Sequence, residues 1–324
     1  MDMKQGADVM TVVLFSWGDR IEGGAVEALT LAAEVAAALG VEVRWVVTPA
    51  LEQEAASAAA LHGVQQLDVI AAAPGSTDER VSVIAGYCKA QLPRLMLFNQ
   101  TVEGRVVAAR VAGRLGLPVL ANVVSLAPDS DALRAEASAY GGDTRAEYLL
   151  KAPRNVVSVV TTAVVARKVD PAVQVETRRV EVEPVGGGAA FEVISAPQVQ
   201  GQRLEDAEII VSGGRGLGKR ENFEFVKEMA DALGGMWGGS RAIVDDGWID
   251  SSRQVGLTGK ITRPGLYIAL GISGASQHMA GCSAAKTIIA INTDPDASIF
   301  RYARYGVVGD CVELLPELIR AAKA

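Results

Sequence analysis

Short apolar segments alternate with helical stretches along most of the chain, and this alternation constrains its fold more than any other feature. MTVVLF (10–15) leads into GAVEALTLAAEVAAALG (24–40), an alanine-rich stretch with helical spacing that stops at Gly40. VEVRWVV (41–47) and a second alanine-rich helical stretch follow. Further strands are predicted at LDVIAAA (67–73), RLMLF (94–98), PVLANVV (118–124) and NVVSVVTTAV (155–164), with helices near 78–91 and 103–115. Strand, helix and strand in succession form right-handed crossovers, which set the strands parallel and cover the sheet with helices. A ligand of such a sheet sits beyond the strand carboxyl ends.

Between Asp170 and Asp206 the pattern dissolves into VEPVGGGAAFEVISAPQVQGQRLED, read as a connector and as a possible hinge at 184–205. A second series then begins: AEIIVSGG (207–214), a helix over ENFEFVKEMADALGG (221–235), an apolar strand at RAIVDD (241–246), LYIALGISG (266–274), TIIAINTDP (287–295) and a last helix over VELLPELIRAAKA (312–324). A chain of 324 residues exceeds what one hydrophobic core usually organises. The expectation is an α/β protein of two doubly wound, mostly parallel-sheet domains. They comprise an N-terminal domain at 1–185, a linker at 186–205, and a nucleotide-binding domain at 206–324.

Charge and composition remove several function classes. The net charge is −7 with no Lys/Arg cluster, so nucleic acid is not an expected partner. No apolar run reaches the roughly 20 residues of a membrane span, and the N-terminus lacks the pattern of a signal peptide. A cytoplasmic protein without direct membrane insertion is expected. Cys88, Cys282 and Cys311 form no C-x-x-C pair, and there are only two histidines, which argues against a disulfide framework and a protein-built metal centre.

The chemistry-bearing residues collect at strand-to-turn junctions of the second half. VSGGRGLGKR (211–220) offers glycines for close backbone approach, with Arg215 and Lys219 able to face phosphate. Its spacing approaches a P-loop, but Arg220 stands where a magnesium-binding hydroxyl is required. GGSRAIVDDGW (238–248) carries Ser240 and Arg241, and QVGLTGK (254–260) carries Gly256 and Thr258. In GISGASQHMAGCSAAK (271–286), Ser273, Gly274 and Ser276 precede His278 in a predicted first helical turn. AINTDP ends a strand in Asn292, and VVGDC places Asp310 after another. Taken alone, the junctions at 238–248 and 254–260 read first as ordinary turns and His278 as a core histidine. Together they suit a dinucleotide, and because no nucleophile–base set accompanies them, the cofactor itself must supply the chemistry.

The ordered set SGGRG, SR, VG-x-TGK, LYIA-x-GISGA-x-QH-x-AG, AIN-x-DP-x-A-x-IF and YG-x-VGD strongly resembles the α subunit of electron transfer flavoproteins, tightly over about 209–318 and more loosely before it. The resemblance implies one FAD in the C-terminal domain. It also implies a heterodimer with a β subunit carrying AMP or a second FAD, and pairing through the nucleotide-hydrolase-like N-terminal domain. Flavin dehydrogenases, acyl-CoA dehydrogenases among them, would be donors, and a quinone oxidoreductase or another redox protein the acceptor. By the same resemblance Arg215 and Ser240 contact the phosphate and adenosine portion, Arg241 lies against the flavin ring, and Thr258 hydrogen-bonds near flavin N5 within Val255, Gly256, Leu257 and Thr258. Ser273, Gly274, Ala275, Ser276, Gln277 and His278 line the ribityl chain, the pyrophosphate and the pyrimidine edge, with His278 near the C2 carbonyl. Asn292, Asp310 and Cys311 fall at the adenosine end.

A donor or cation at the pyrimidine edge stabilises the negative charge that gathers there on reduction. Protonated His278 would do this most strongly, and Arg241 can supply a permanent charge. Leu257 departs from the family pattern, which has glutamine there, and VVSVVTTAV (156–164) replaces the family's arginine-containing strand. Leu257→Gln is therefore expected to shift the flavin potential, and potentiometry showing both one-electron steps unchanged would contradict this. A P-loop-like nucleotide hydrolase and a non-redox nucleotide-binding module are the competing readings.

Overall fold

The computed structural model describes residues 11–70, 76–139, 144–186 and 203–323, in two compact units, Met1–Ala196 and Pro197–Ala324. Residues 71–73 of the predicted third strand, and 187–202 of the predicted linker, lie outside the described residues.

In the N-terminal unit the alternation becomes β1 (Thr11–Ser16), α1 (Ala25–Leu39), β2 (Glu42–Val47), α2 (Glu52–Leu61), β3 (Gln66–Ile70), α3 (Thr77–Gln91), β4 (Leu95–Asn99) and α4 (Val102–Leu115). Gly40 ends α1 with a left-handed φ of 66° and returns its N–H to Ala36 and Ala37. α3 starts with a reciprocal Ser76–Glu79 capping box, and α4 with Thr101 accepting from Gly104. β5 (Val119–Asp129), β6 (Ala132–Ala139), β7 (Thr144–Leu150), β8 (Asn155–Val159) and β9 (Glu176–Val180) complete a sheet of order β7-β6-β5-β8-β4-β1-β2-β3-β9. Only the β5–β6 and β6–β7 pairings are antiparallel. Both faces of the sheet are covered. Val12 and Leu14 of β1 join the core under α1 and α2, while Val13 and Phe15 join the one under α3 and α4.

One sequence expectation needs correction here. β9 lies inside the stretch read as a connector, and its sequence ETRRV shows no apolar alternation because it is an exposed sheet edge. What holds it is ionic. Arg178 donates from Nε and an η nitrogen to the two oxygens of fully buried Asp68 on β3, at 3.0 and 2.7 Å, and the Tyr87 hydroxyl donates to Asp68 at 2.6 Å. The start of the expected hinge is also fastened. Val185 N–H donates to the Ser82 carbonyl, Ser82 Oγ to the Gly186 carbonyl and Arg114 to the Val185 carbonyl. The helix face there must be glycine, because a Cβ on Gly86 would land on the Glu183 carbonyl oxygen.

The C-terminal unit is a parallel sheet of order β11-β10-β12-β13-β14, formed by β10 (Ile209–Gly213), β11 (Met236–Gly239), β12 (Leu266–Leu270), β13 (Thr287–Asn292) and β14 (Tyr305–Val308). α5 (Phe223–Ala232) and α8 (Cys311–Ala322) pack on one face through Phe223, Val226, Leu315 and Ile319. RAIVDD, read as a strand, is instead the short helix α6 (Arg241–Asp245), in which Arg241 pairs with Asp245 one turn on. The strand before it is MWGG, whose glycines hide it from an apolar-run reading. A Cβ on Gly239 would strike the Ile243 and Ile249 side chains. From β10 the chain runs outward to β11, then returns past β10 to β12. The point where strand order reverses therefore lies beyond Gly213 and Leu270.

Candidate functional site

The carboxyl ends of the C-terminal sheet are joined into one continuous rim by backbone hydrogen bonds. Val255 N–H donates to the Gly239 carbonyl (2.9 Å) and Ser240 N–H to Gly213 (3.0 Å). Gly214 N–H donates to Leu270 (2.8 Å), Gly216 N–H to Gly271 (3.0 Å), Gly271 N–H to Ile291 (2.9 Å) and Gly309 N–H to Asn292 (3.0 Å). This brings the loops bearing Arg215, Ser240, Val255, Ser273, Asn292 and Asp310 to one edge. The approach of 214–217 to 271–272 depends on missing side chains. A Cβ on Gly214 or Gly216 would meet the backbone of Gly271.

Arg215 follows β10 and reaches Asp246 with two nitrogens, at 2.9 and 3.0 Å; Arg241, at the start of α6, reaches Asp245 at 3.2 Å. Both arginine side chains are about two-thirds exposed, so these ion pairs are worth little and can be exchanged for another anion. Ser240 precedes α6 in extended conformation and makes no side-chain cap. Lys260 of the TGK motif is used structurally: it donates to Glu205 at 2.9 Å and ties the turn Leu204–Asp206 to the unit. Burial alone would raise the Glu205 carboxyl, but Lys260 and Arg203 hold it below its ordinary value.

The loop 255–258 lies against the segment 275–281. Leu257 N–H donates to the Gln277 carbonyl at 2.7 Å, and Gly256 takes a φ of 144° with its α-carbon side facing that same carbonyl. Gln254 Nε2 donates to Thr258 Oγ1 at 2.9 Å. Gly274 sits at φ 82°, and Ser273 accepts the Ile299 N–H. The predicted helix after them is a single turn, α7 (Ser276–Met279), opened by the Ala275 carbonyl accepting from His278 and Met279. Four residues carry little of the dipole of a full helix. Ala275 and Gln277 are exposed, while Ser276 is partly covered. Asn292 is engaged locally, donating to the Ile272 carbonyl and accepting from Asp294 N–H. Asp310 caps α8 through Val312 N–H, and Cys311, the next residue, is buried with its thiol pushed up to about 11 by burial.

His278 is 7 % exposed. Its Nε2 lies 2.9 Å from the hydroxyl of fully buried Tyr267, and its Nδ1 is buried with no hydrogen-bond partner. Burial lowers its pKa to about 4, so the ring is neutral at pH 7. Fixed positive charge at the rim is carried by Arg215 and Arg241. The depressed value also has a stability consequence. The unfolded chain binds a proton at pH values where the folded one does not, so the contribution is complete above the ordinary value of 6.5 and disappears as pH falls to about 4. Unfolding free energies from urea titration of the C-terminal transition are expected to fall between pH 6.5 and 4 by up to ~3 kcal/mol more in wild type than in His278→Gln. Equal pH slopes would contradict this.

The N-terminal unit holds a small cavity. Beyond β1, β2 and β3, a cavity lined by residues including Ser16, Trp17, Thr48 and Arg80 encloses about 10 Å³, the space of one water. Arg80 stacks over Trp17 and pairs with Glu103, which also accepts from the Trp17 ring nitrogen.

Sequence reasoning missed Tyr267, Asp245 and Asp246. The first had a signal: it supplies the lone hydroxyl of the apolar strand LYIAL. The second and third were hidden by reading RAIVDD as a strand. Lys219 also fails the P-loop reading on geometry, because α5 begins only at Phe223 and not directly behind the lysine.

A doubly wound sheet with a glycine-lined rim at its switch point, two exchangeable arginines and an orphaned buried ring nitrogen defines a binding domain for a nucleotide-type cofactor. Residues 203–283 match the family described as "Electron transfer flavoprotein FAD-binding domain", and residues 11–185 match "Electron transfer flavoprotein domain". "Electron transfer flavoprotein subunit alpha" of Thermoanaerobacterium thermosaccharolyticum is 40 % identical over 76 % of both chains. That of Clostridium acetobutylicum is 34 % identical over 90 % of both, and "Protein FixB" of Clostridium saccharobutylicum is 37 % identical over 76 % of this chain and 75 % of its own length. The chain belongs to the electron transfer flavoprotein α-subunit family, and its C-terminal unit is an FAD-binding domain. The residues fit that cofactor: Arg215 and Arg241 are exposed cations at the rim, and His278 Nδ1 is a buried polar atom still lacking a partner. The family does not favour a nucleotide hydrolase. Among the described residues no helix is long and apolar enough to cross a membrane, and no group of side chains suits a metal ion.

Proposed function

We propose that this electron transfer flavoprotein subunit works in the cytoplasm as a heterodimer with a β subunit holding AMP or a second FAD. It takes electrons from flavin dehydrogenases, acyl-CoA dehydrogenases among them, and delivers them to a quinone oxidoreductase or another redox protein. The bound flavin supplies the electron-accepting chemistry. The chain's own residues bind it, orient it and set its electrostatics. Arg215 and Ser240 hold the phosphate and adenosine portion, and Arg215 exchanges its exposed Asp246 partner for phosphate at small cost. Arg241 places its fixed charge against the ring system. Thr258, oriented by Gln254, donates near flavin N5 within the segment Val255–Thr258. Ser273 to Gln277 line the ribityl chain and pyrophosphate, and Asn292, Asp310 and Cys311 flank the adenosine end.

The observation that carries this reading is His278 Nδ1. A buried ring nitrogen without a partner costs about 1–3 kcal/mol and calls for an acceptor, such as a flavin carbonyl, beside it. As a neutral donor the ring stabilises negative charge arising at that edge without gaining or losing a proton itself. Mixing the purified heterodimer with an acyl-CoA dehydrogenase and its substrate tests the proposal. The flavin absorbance should bleach within the turnover time of the dehydrogenase, and persistent oxidised flavin with every donor dehydrogenase of the organism would overturn it.

A further inference from the structure

Tyr267 lies beneath the rim, fully buried at the start of β12, and its hydroxyl is 2.9 Å from His278 Nε2. The other polar groups beside that hydroxyl are Ser212 and Cys282. The direction of each proton follows from the partners available. Cys282 keeps its thiol proton, because burial pushes the group up to about 12, and its Sγ lies 3.6 Å from the His278 carbonyl, the acceptor for that proton. Ser212 Oγ is buried and can donate. That leaves the Tyr267 proton for the strongest acceptor within reach, the ring nitrogen. The Val255 backbone also lies beside the ring and favours a proton on it.

We propose that Tyr267 is a positioning residue for the flavin site: its hydroxyl donates to His278 Nε2, which keeps the imidazole proton on Nδ1 and fixes the ring as a neutral donor facing the cofactor. This rests on the FAD reading. The hydrogen bond selects one tautomer and one ring orientation without itself touching the cofactor. Removing the hydroxyl takes away the donor that holds Nε2 as an acceptor, so neither the tautomer nor the ring orientation is fixed from that side any longer.

The chain has only two histidines, which makes the tautomer directly readable. His62 serves as an internal reference, since its Nδ1 lies 2.6 Å from the Arg167 carbonyl and must carry the proton there. Long-range ¹⁵N–¹H spectra of the FAD-loaded protein with ¹⁵N-labelled histidine are expected to show a pyridine-type Nε2 and a pyrrole-type Nδ1 for His278, and a pyrrole-type Nδ1 for His62. In Tyr267→Phe the His278 signals should shift toward the opposite assignment while those of His62 stay in place, and the flavin potential should fall. Wild-type spectra with the His278 proton on Nε2 would overturn the proposal even if Tyr267→Phe did not fold. So would a His278 tautomer unchanged in a folded, flavin-loaded variant. A protein that retains no flavin would instead count against the FAD reading, so the two failures are distinguishable.

Discussion

Gly274→Ala is expected to destabilise the C-terminal unit by about 2–5 kcal/mol and to strip it of cofactor. Two effects add at this position. Its φ of 82° lies in the left-handed region, where an L side chain costs roughly 1–2 kcal/mol. An added Cβ would also land on the backbone nitrogen of Ile299, the group that donates to the Ser273 carbonyl, and that backbone cannot swing aside as a side-chain tip would. The resulting displacement falls on the 273–278 turn, which carries six of the residues assigned to the flavin. Urea unfolding followed by tryptophan fluorescence, with released flavin measured on the same samples, checks both parts. A variant with wild-type midpoint and wild-type flavin retention would show that the close approach of 274 to 299 is not part of the fold.

A second large effect is expected from Arg178, and its asymmetry is the informative part. Asp68 has no exposed surface, whereas Arg178 keeps 43 % of its side-chain surface. Arg178→Met leaves a buried carboxylate with only the Tyr87 hydroxyl for company, and breaking such a pair from this side costs about 3–5 kcal/mol. Asp68→Asn leaves the arginine free to turn to solvent, so its cost should be smaller by at least ~1 kcal/mol. Hydrogen exchange should report loss of protection along β9 in both variants. If Asp68→Asn proved the more damaging of the two, the argument from desolvation would be wrong, and β9 would be held by something other than this pair.

The parts of the fold legible in sequence are those where burial on both faces of a sheet writes a continuous apolar run. β1, β4, β8, β10, β12 and β13 are of that kind, as is α1 with its glycine stop. β9 was illegible because an edge strand pinned by an ion pair needs no apolar residues, and the partner Asp68 lies far away in sequence. β11 was illegible because MWGG has two side chains where a strand reading looks for four or five. The same mistake converted α6 into a strand and concealed that Asp245 and Asp246 accompany Arg241 and Arg215. At the site, the glycines and short polar residues marked the loops that the structure gathers at one edge of the sheet. The state of His278 could not be read that way. Its neutrality follows from burial, and burial follows from packing against Tyr267 on a strand that the sequence presents only as apolar.

Flavin content per chain is the most direct test of whether this rim is the cofactor site. Co-purification with an electron transfer flavoprotein β subunit, in the presence of added FAD, followed by extraction and quantification, should give one FAD for each copy of this chain, with any excess assigned to the β subunit. A folded, colourless heterodimer under saturating FAD would contradict the assignment of the C-terminal unit's function.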